Sequence, residues 1–242
     1  MLSKHGANDF FSNSMVAAGK VAGRRRPLVS TVLGLALIAH FIFVSVRSLY
    51  LGVPENVLWI CHLGTLIGGF GACLQNRRLI SLALVICFGH HAFWVFDTLS
   101  WLITGRFAVG ATAYLQNRSL GGWIQSANHF FLVPVLLVLA VMKGAIDKHA
   151  WIWSSLLFLL LIVIGLFLLP PASNVNCAHR PWPGLEQLVS HFVPIEPFSS
   201  ARYILFITVA TVIGNYLPVN LVLSYAIPRC IGAARRLRKA TG

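Results

Sequence analysis

Residues 151–169 read WIWSSLLFLLLIVIGLFLL, a stretch of 19 residues without a charged side chain. As an α-helix this stretch would be about 28 Å long at 1.5 Å per residue, close to the hydrocarbon thickness of a lipid bilayer. Apolar side chains occupy every side of the helix, so no face of it suits contact with water. The stretch is therefore predicted to span a membrane.

The rest of the chain repeats this character. It is 57% hydrophobic and only 10% charged, with a mean hydropathy of +0.77, whereas soluble domains carry about 25% charged residues. Similar apolar runs, separated by turn-forming residues, cover 28–49, 56–74, 79–96, 123–142 and 203–227. The sequence thus predicts an all-α membrane protein, a bundle of about six transmembrane helices. The shorter apolar segment 98–112 is predicted to be re-entrant or interfacial.

The distribution of charge predicts how the bundle is oriented. In a six-helix arrangement, 14 of the 19 Lys and Arg residues lie on the side of the two termini, and four of the six acidic residues lie on the opposite side. Basic loops stay in the cytoplasm. We therefore expect a bacterial inner-membrane protein with both termini cytoplasmic. It would comprise basic tails at 1–27 and 228–242, a transmembrane domain at 28–227 and a long exported loop at 170–200.

The formal net charge of +13 follows from this topology and from attraction to anionic lipid headgroups. Nucleic acid is therefore not expected as a partner, whereas membrane lipids and other membrane proteins are. The five cysteines are an odd number, and only Cys177 falls clearly in an exported loop. No disulfide framework is predicted.

Polar side chains inside the predicted spans indicate where function resides. An ionisable group costs roughly 2–3 kcal/mol at the centre of a membrane helix, so such groups are rare unless they have a role. Helical rise places Cys61 and His62 about 8–9 Å inside the outer end of their span, at nearly the depth of His129. Together these groups predict a polar pocket open to the exported side. Its catalytic candidates are Cys61, His62, Asp97 and His129, and its lining candidates are Thr65, His90, His91, Gln125, Asn128, Asn174 and Asn176.

Several chemistries suit such a pocket. A thiol beside an imidazole can attack an acyl ester, with Cys61 (or Thr65) as nucleophile, His129 as base and Asp97 or His62 orienting it. The histidines would also suit a metal or haem, but the sequence has no HxxxH or HExxH spacing, so no metal ligands are predicted and no cofactor is identified. A proton or solute pathway through His and Asp, and interhelical hydrogen bonding without further function, remain open. The non-enzymatic alternative is a transporter or an accessory subunit of a membrane complex.

Short motifs in this region resemble those of a known group. Trp59-x-Cys61-His62, Asp97, Ser126-x2-His129, Asn174-x-Asn176 and Tyr216-Leu217-Pro218 resemble bacterial six-helix membrane-associated proteins over about residues 50–227. The chain departs from that pattern at Cys177, where an aromatic residue is expected. A more distant likeness, to androgen-induced transmembrane lipid hydrolases and a related ether-lipid acyltransferase, implies a buried nucleophile at Cys61 or Thr65 and a partner at His129.

Overall fold

A computed structural model describes residues 4–193 and 201–240 of the chain, with side chains described for 27–193 and 201–237. Within these residues the regular structure is helical, without strands. The helices are α1 (Lys4–Tyr50), α2 (Ile60–Cys73), α3 (Arg77–Thr104), α4 (Leu120–Ser126), α5 (Asn128–Lys143), α6 (Ala150–Leu168), α7 (Glu186–Ser190), α8 (Ala201–Thr211) and α9 (Leu217–Ala240). The predicted all-α class is confirmed.

Five stretches are long and apolar enough to cross a membrane: Pro27–Tyr50, Arg77–Thr104, Leu120–Lys143, Ala150–Leu168 and Ala201–Leu237. The remaining predicted span, 56–74, contains the shorter apolar helix α2, which has 14 residues and is about 21 Å long. It begins only at Ile60 because Pro54–Leu58 forms a separate 3₁₀ turn. The chain is thus a membrane protein with five candidate spans and one shorter apolar helix.

Several helix boundaries differ from the predicted ones. α1 begins at Lys4 and α9 ends at Ala240, so most of both predicted tails is helical. α3 continues to Thr104 and ends at Gly105, whose φ of 73° is left-handed, so the first half of the predicted re-entrant segment is ordinary helix. The reason is that hydropathy reports contact with lipid, whereas caps and left-handed residues decide where helical hydrogen bonding ends.

α2 and α3 lie at the centre of the bundle. A Cβ added to Gly34 of α1 would lie 2.7 Å from the carbonyl oxygen of Gly69 in α2, so these two backbones are nearly in contact. On other sides of α2, Gly64 faces the Cys87 side chain of α3, and Gly68 faces Leu136 of α5. Small residues permit this close approach of helices.

A π-helical segment, Val212–Tyr216, joins α8 to α9. It overlaps residues 214–218, where Pro218, which lacks an N–H, favours a kink. The segment packs on α3, because a Cβ on Gly89 would meet the Asn215 side chain. The buried Tyr216 ring lies 5.9 Å from the His90 ring, centroid to centroid. The π-helical segment thereby places Asn215 and Tyr216 beside His90.

One end of the bundle gathers the connecting segments, and we call it the cavity end. Here α1 and α3 end, and α2 and α4 begin. The loop after α6 bonds to the start of α2 through Asn176 and Ile60, and the end of α1 bonds to the start of α4 through Arg47 and Ser119. The predicted loop 170–200 is described as far as Val193, and 194–200 lie outside the described residues.

Candidate functional site

A cavity of about 690 Å³ lies at the cavity end of the bundle. Its walls come from the first turn of α2, the second half of α3, the junction of α4 with α5, the start of α8 and the loop after α6. The predicted site residues that line it are Cys61, His62, His90, Gln125, His129, Asn174 and Asn176. The structure thus brings together polar side chains from separate helices in one hollow of otherwise largely apolar walls.

Each of the three cavity histidines is held through Nδ1 by a main-chain carbonyl. Nδ1 lies 2.7 Å from the oxygen of Asn56 for His62, 2.9 Å from that of Ser126 for His129 and 3.1 Å from that of Ile86 for His90. A carbonyl only accepts, so Nδ1 of His62 and Nδ1 of His129 donate and carry the proton of the neutral ring. Nδ1 of His90 differs, because the Asn215 amide nitrogen, which is a donor, also lies 3.4 Å from it. Nε2 of His62 and of His129 has no hydrogen-bond partner among the described residues and is therefore available to accept a proton.

The His129 ring contacts two rings of α3. The Trp94 indole stacks on it with a centroid distance of 4.3 Å and an interplanar angle of 15°. The His91 ring lies 4.6 Å away. His129 lies in the first turn of α5, two residues after Ala127, the single residue between α4 and α5. Stacking and the Ser126 carbonyl together fix the orientation of this imidazole.

Cys61 lies in the first turn of α2, lines the cavity and is 7% exposed. Its carbonyl oxygen accepts hydrogen bonds from Thr65 Oγ1 at 2.7 Å and from Asn128 Nδ2 at 3.2 Å. This turn of α2 is therefore attached directly to α5, which carries His129. No hydrogen bond joins Cys61 Sγ to an imidazole anywhere in the described part of the chain.

Asp97 does not orient a cavity histidine as predicted. Its carboxylate is fully buried and accepts hydrogen bonds from the loop after α3: from the N–H groups of Val109 at 2.7 Å, Gly110 at 3.2 Å and Thr112 at 2.8 Å, and from Thr112 Oγ1 at 2.8 Å. Both oxygens are occupied by this loop, which supplies part of the cavity wall. The role of Asp97 is to fold the loop.

Thr65, His91 and Asn128 also lie outside the lining that was predicted to include them. Thr65 is one turn deeper on α2 and, like Asn128, is directed into the contact between α2 and α5. His91 is 1% exposed, and its ring packs against that of His129, which does line the cavity. The rotation of these three residues about their helix axes was therefore predicted wrongly.

The loop after α6 covers the cavity through two asparagines in left-handed conformations. Asn174 (φ 41°) accepts from the N–H groups of His179 and Arg180 at 3.0 and 3.1 Å. Asn176 (φ 55°) accepts from the N–H of Ile60 at 2.8 Å and donates to the carbonyl of Leu58 at 2.9 Å. Asn176 therefore fastens the loop to the first residue of α2, directly beside Cys61.

Asn176→Ala is expected to lower the unfolding midpoint by about 5 °C or more, because it leaves a buried N–H and a buried carbonyl unpaired, at about 1–3 kcal/mol each. Asn176→Gly, which tolerates the left-handed backbone but makes neither bond, should recover only the conformational part of the loss. Tryptophan fluorescence of the protein in detergent during heating measures both. The exposed Asn117, which makes no described side-chain bond, provides the control Asn117→Ala. Equal shifts in the two alanine variants would contradict the assignment.

Cys177 is the second thiol of the cavity lining and lies in the same loop. It is 9% exposed, and burial raises the pKa of its thiol to about 12. The thiol therefore remains protonated at neutral pH, and no hydrogen bond among the described residues links it to a base. Cys177 provides a matched comparison for Cys61.

Sequence reasoning missed several polar residues of the lining, four of which bear on its chemistry. They are Tyr114, Ser126, Arg118 and Arg180. Tyr114 accepts a hydrogen bond from Trp94 Nε1 at 2.8 Å, and its hydroxyl lies 3.5 Å from Ser126 Oγ. The two arginines carried a usable signal, because they are among the few basic residues on the predicted exported side. Tyr114 carried none, since Asp97 and the loop fold decide its position.

A thiol and basic imidazole nitrogens on one cavity wall can support nucleophilic attack and general-base catalysis. Among the side chains described, those of 27–193 and 201–237, no group of three or more His, Cys, Asp or Glu is arranged to hold a metal ion. No protein-family model, curated protein or solved structure matches this chain.

Proposed function

We propose that the chain crosses the bacterial inner membrane six times, with both termini in the cytoplasm and the cavity end on the exported side. In this arrangement α2 crosses the membrane in addition to the five longer stretches, and α8 with α9 form one irregular span. The basic residues support this orientation, because the end of the bundle away from the cavity carries most of them. The close approach of α1 to α2 supports it as well, since α2 runs back along α1.

We propose further that the cavity binds an acyl lipid from the outer leaflet and hydrolyses or transfers its acyl group. The observation that carries this proposal is the presence of Cys61, His62 and His129 on one largely apolar cavity, with the imidazoles held as Nδ1–H tautomers. The apolar wall suits acyl chains, and the thiol and Nε2 atoms suit the ester. The remote likeness to transmembrane lipid hydrolases points in the same direction.

In the proposed reaction, His129 Nε2 takes the proton of the Cys61 thiol, and Sγ attacks the ester carbonyl carbon. The carbon–oxygen bond of the ester breaks, and the imidazolium returns its proton to the leaving alcohol. Water, or the hydroxyl of a second lipid, then attacks the thioester while His129 accepts its proton. The carbon–sulfur bond breaks, the fatty acid or the new ester leaves, and the imidazolium returns the proton to Sγ, which regenerates the thiol. Because no hydrogen bond joins Cys61 Sγ to an imidazole among the described residues, the proton transfer needs a bridging water or a small rotation of the thiol. Catalytic hydrogen bonds often shorten only with substrate bound.

The second candidate is a non-enzymatic transporter or accessory subunit. It is favoured by one observation, that Cys61 Sγ has no hydrogen bond to an imidazole among the described residues. In that case the cavity would bind lipid or another amphiphile without changing it, and the histidines would only fasten loops to helices. Covalent labelling of Cys61 separates the two candidates.

We expect a long-chain alkyl chloroacetamide to label Cys61 at least about tenfold faster than Cys177, because Cys61 precedes His62 and its turn of α2 is bonded to Asn128, the neighbour of His129. The full-length protein in detergent would carry Cys230→Ser to remove the exposed thiol. Mass spectrometry of the modified peptides identifies the labelled cysteine. Labelling of Cys61 no faster than that of Cys177 would overturn the enzymatic proposal.

His129→Asn tests the base more sharply, because an asparagine amide can still donate to the Ser126 carbonyl while Nε2 is lost. The Cys61 labelling rate should fall about tenfold or more in this variant. His40→Asn is the control, since His40 lies on α1 outside the cavity lining. An unchanged rate in His129→Asn would exclude His129 as the base.

A further inference from the structure

Two arginines from separate loops line the same cavity. Arg118 precedes α4, and Arg180 lies in the loop after α6. The described lining includes no Asp or Glu, and the nearest buried carboxylate, Asp97, is occupied by its own loop. The ion pairs among the described residues are those of Asp147 with Arg78 and His149. The cavity lining therefore carries two positive charges, and neither of them forms an ion pair with a carboxylate of residues 27–193 or 201–237.

Each arginine is held at one part, while its guanidinium group has no carboxylate partner among the described residues. The main chain of Arg180 both donates to and accepts from the Asn174 side chain, at 3.1 and 3.0 Å. The stem of Arg118 lies across Gly122, where an added Cβ would meet its Cδ at 2.9 Å. The Arg118 guanidinium carbon lies 4.9 Å from the centroid of the Tyr114 ring. The Arg118 guanidinium is thus held by its stem and the Tyr114 ring, Arg180 is held at its main chain, and both keep the N–H donors that bind a phosphate.

Aromatic residues place the arginines at the level of lipid headgroups. Trp59 and Trp182 belong to the same lining, and the Trp182 ring stacks on Phe93 at 5.8 Å. Trp101 stacks on Trp123 nearby at 6.5 Å. Tryptophan concentrates at membrane–water interfaces, whereas Phe158 and Ile207 on the deeper wall offer only apolar surface. A lipid whose phosphate meets the arginines would therefore place its acyl chains along that deeper wall.

We propose that Arg118 and Arg180 bind the phosphate of an anionic phospholipid, which makes an anionic lipid the substrate class of this cavity. The inference rests on the proposed acyl-lipid function and adds selectivity to it. A lipid with net negative charge compensates the arginines. A zwitterionic lipid brings an ammonium group, for which the described lining holds no carboxylate.

Binding of phosphatidylglycerol and phosphatidylethanolamine to the full-length protein tests the proposal, with affinities measured by native mass spectrometry from detergent. The Cys61→Ala variant is used throughout, so that no acyl turnover contributes. We expect phosphatidylglycerol to bind about tenfold more tightly. Arg118→Gln and Arg180→Gln should each weaken it about fivefold, and the double variant should abolish the preference. Arg106→Gln removes a charge from a neighbouring loop outside the lining and should change nothing.

Equal affinities for the two lipids, or an Arg106→Gln effect as large as that of Arg118→Gln, would overturn the inference. The outcome is separable from that of the proposed function. A preference that persists while Cys61 shows no enhanced labelling would leave a lipid-binding protein without acyl chemistry. Fast Cys61 labelling without a lipid preference would leave the chemistry and remove the substrate class.

Discussion

Cys61→Ala is expected to lower acyl turnover by at least about a thousandfold, to the level of the uncatalysed reaction in the same vesicles. Removal of a covalent nucleophile eliminates the thioester route entirely, and losses of this size or larger follow in other enzymes with a nucleophile and a base. The substitution deletes one sulfur atom, while the main-chain bonds from Thr65 and Asn128 to residue 61 persist. Folding should therefore be retained.

The assay is release of free fatty acid from phosphatidylglycerol in proteoliposomes, followed by mass spectrometry. Cys177→Ala is the matched control, because it removes the other buried thiol of the same lining and should leave turnover nearly unchanged. A Cys61→Ala variant that turns over lipid at the wild-type rate would exclude covalent catalysis. Wild-type protein without turnover of any acyl lipid would favour the transporter or accessory subunit.

Asp97→Asn is expected to destabilise the fold by about 3 kcal/mol or more. Hydrogen bonds to a carboxylate contribute about 1.5–3 kcal/mol each, and Asp97 accepts four bonds from one loop. An asparagine presents one oxygen and turns an N–H₂ group toward main-chain donors, so part of the loop is left unpaired in a buried site. Thr112→Val removes only the hydroxyl bond and should cost about 1 kcal/mol.

The unfolding midpoint in detergent and limited proteolysis of residues 105–119 measure this loss. Asp147→Asn is the control at another buried carboxylate, which accepts one main-chain N–H, that of His149, and pairs with a largely exposed Arg78. Its effect should be about 1 kcal/mol or less. If Asp97→Asn were no more destabilising than Asp147→Asn, and turnover fell with the loop intact, Asp97 would have a direct role in catalysis.

Predictions from the sequence succeeded where lipid constrains the residue types. Each apolar run marks a helix core, because a membrane helix must present apolar side chains over its whole length. The ends of α1, α3 and α9 were predicted less well, since a helix continues into water wherever local hydrogen bonds are satisfied. The discontinuity at Ala127, between α4 and α5, leaves no hydropathy signal at all.

The sequence predicted how far along their helices the candidate site residues lie, but not which way their side chains point. Residue number converts to depth through the helical rise, so Cys61, His62 and His129 could be placed at one level from spacing alone. Rotation about the helix axis depends on which face packs against a neighbour. For this reason Asp97 and Asn128 were assigned to the pocket, although one holds a loop and the other joins α5 to α2.

The order of residues alone specified a membrane protein of apolar helices and the depth of its costly polar groups, because hydropathy and helical rise are local properties. Contacts between distant segments specified the rest. Glycine packing set the rotation of α2, the Asp97 carboxylate folded the loop that carries Tyr114, and Asn176 closed the loop over Cys61. These contacts join groups far apart in the chain, and their partners become known only when the helices are packed.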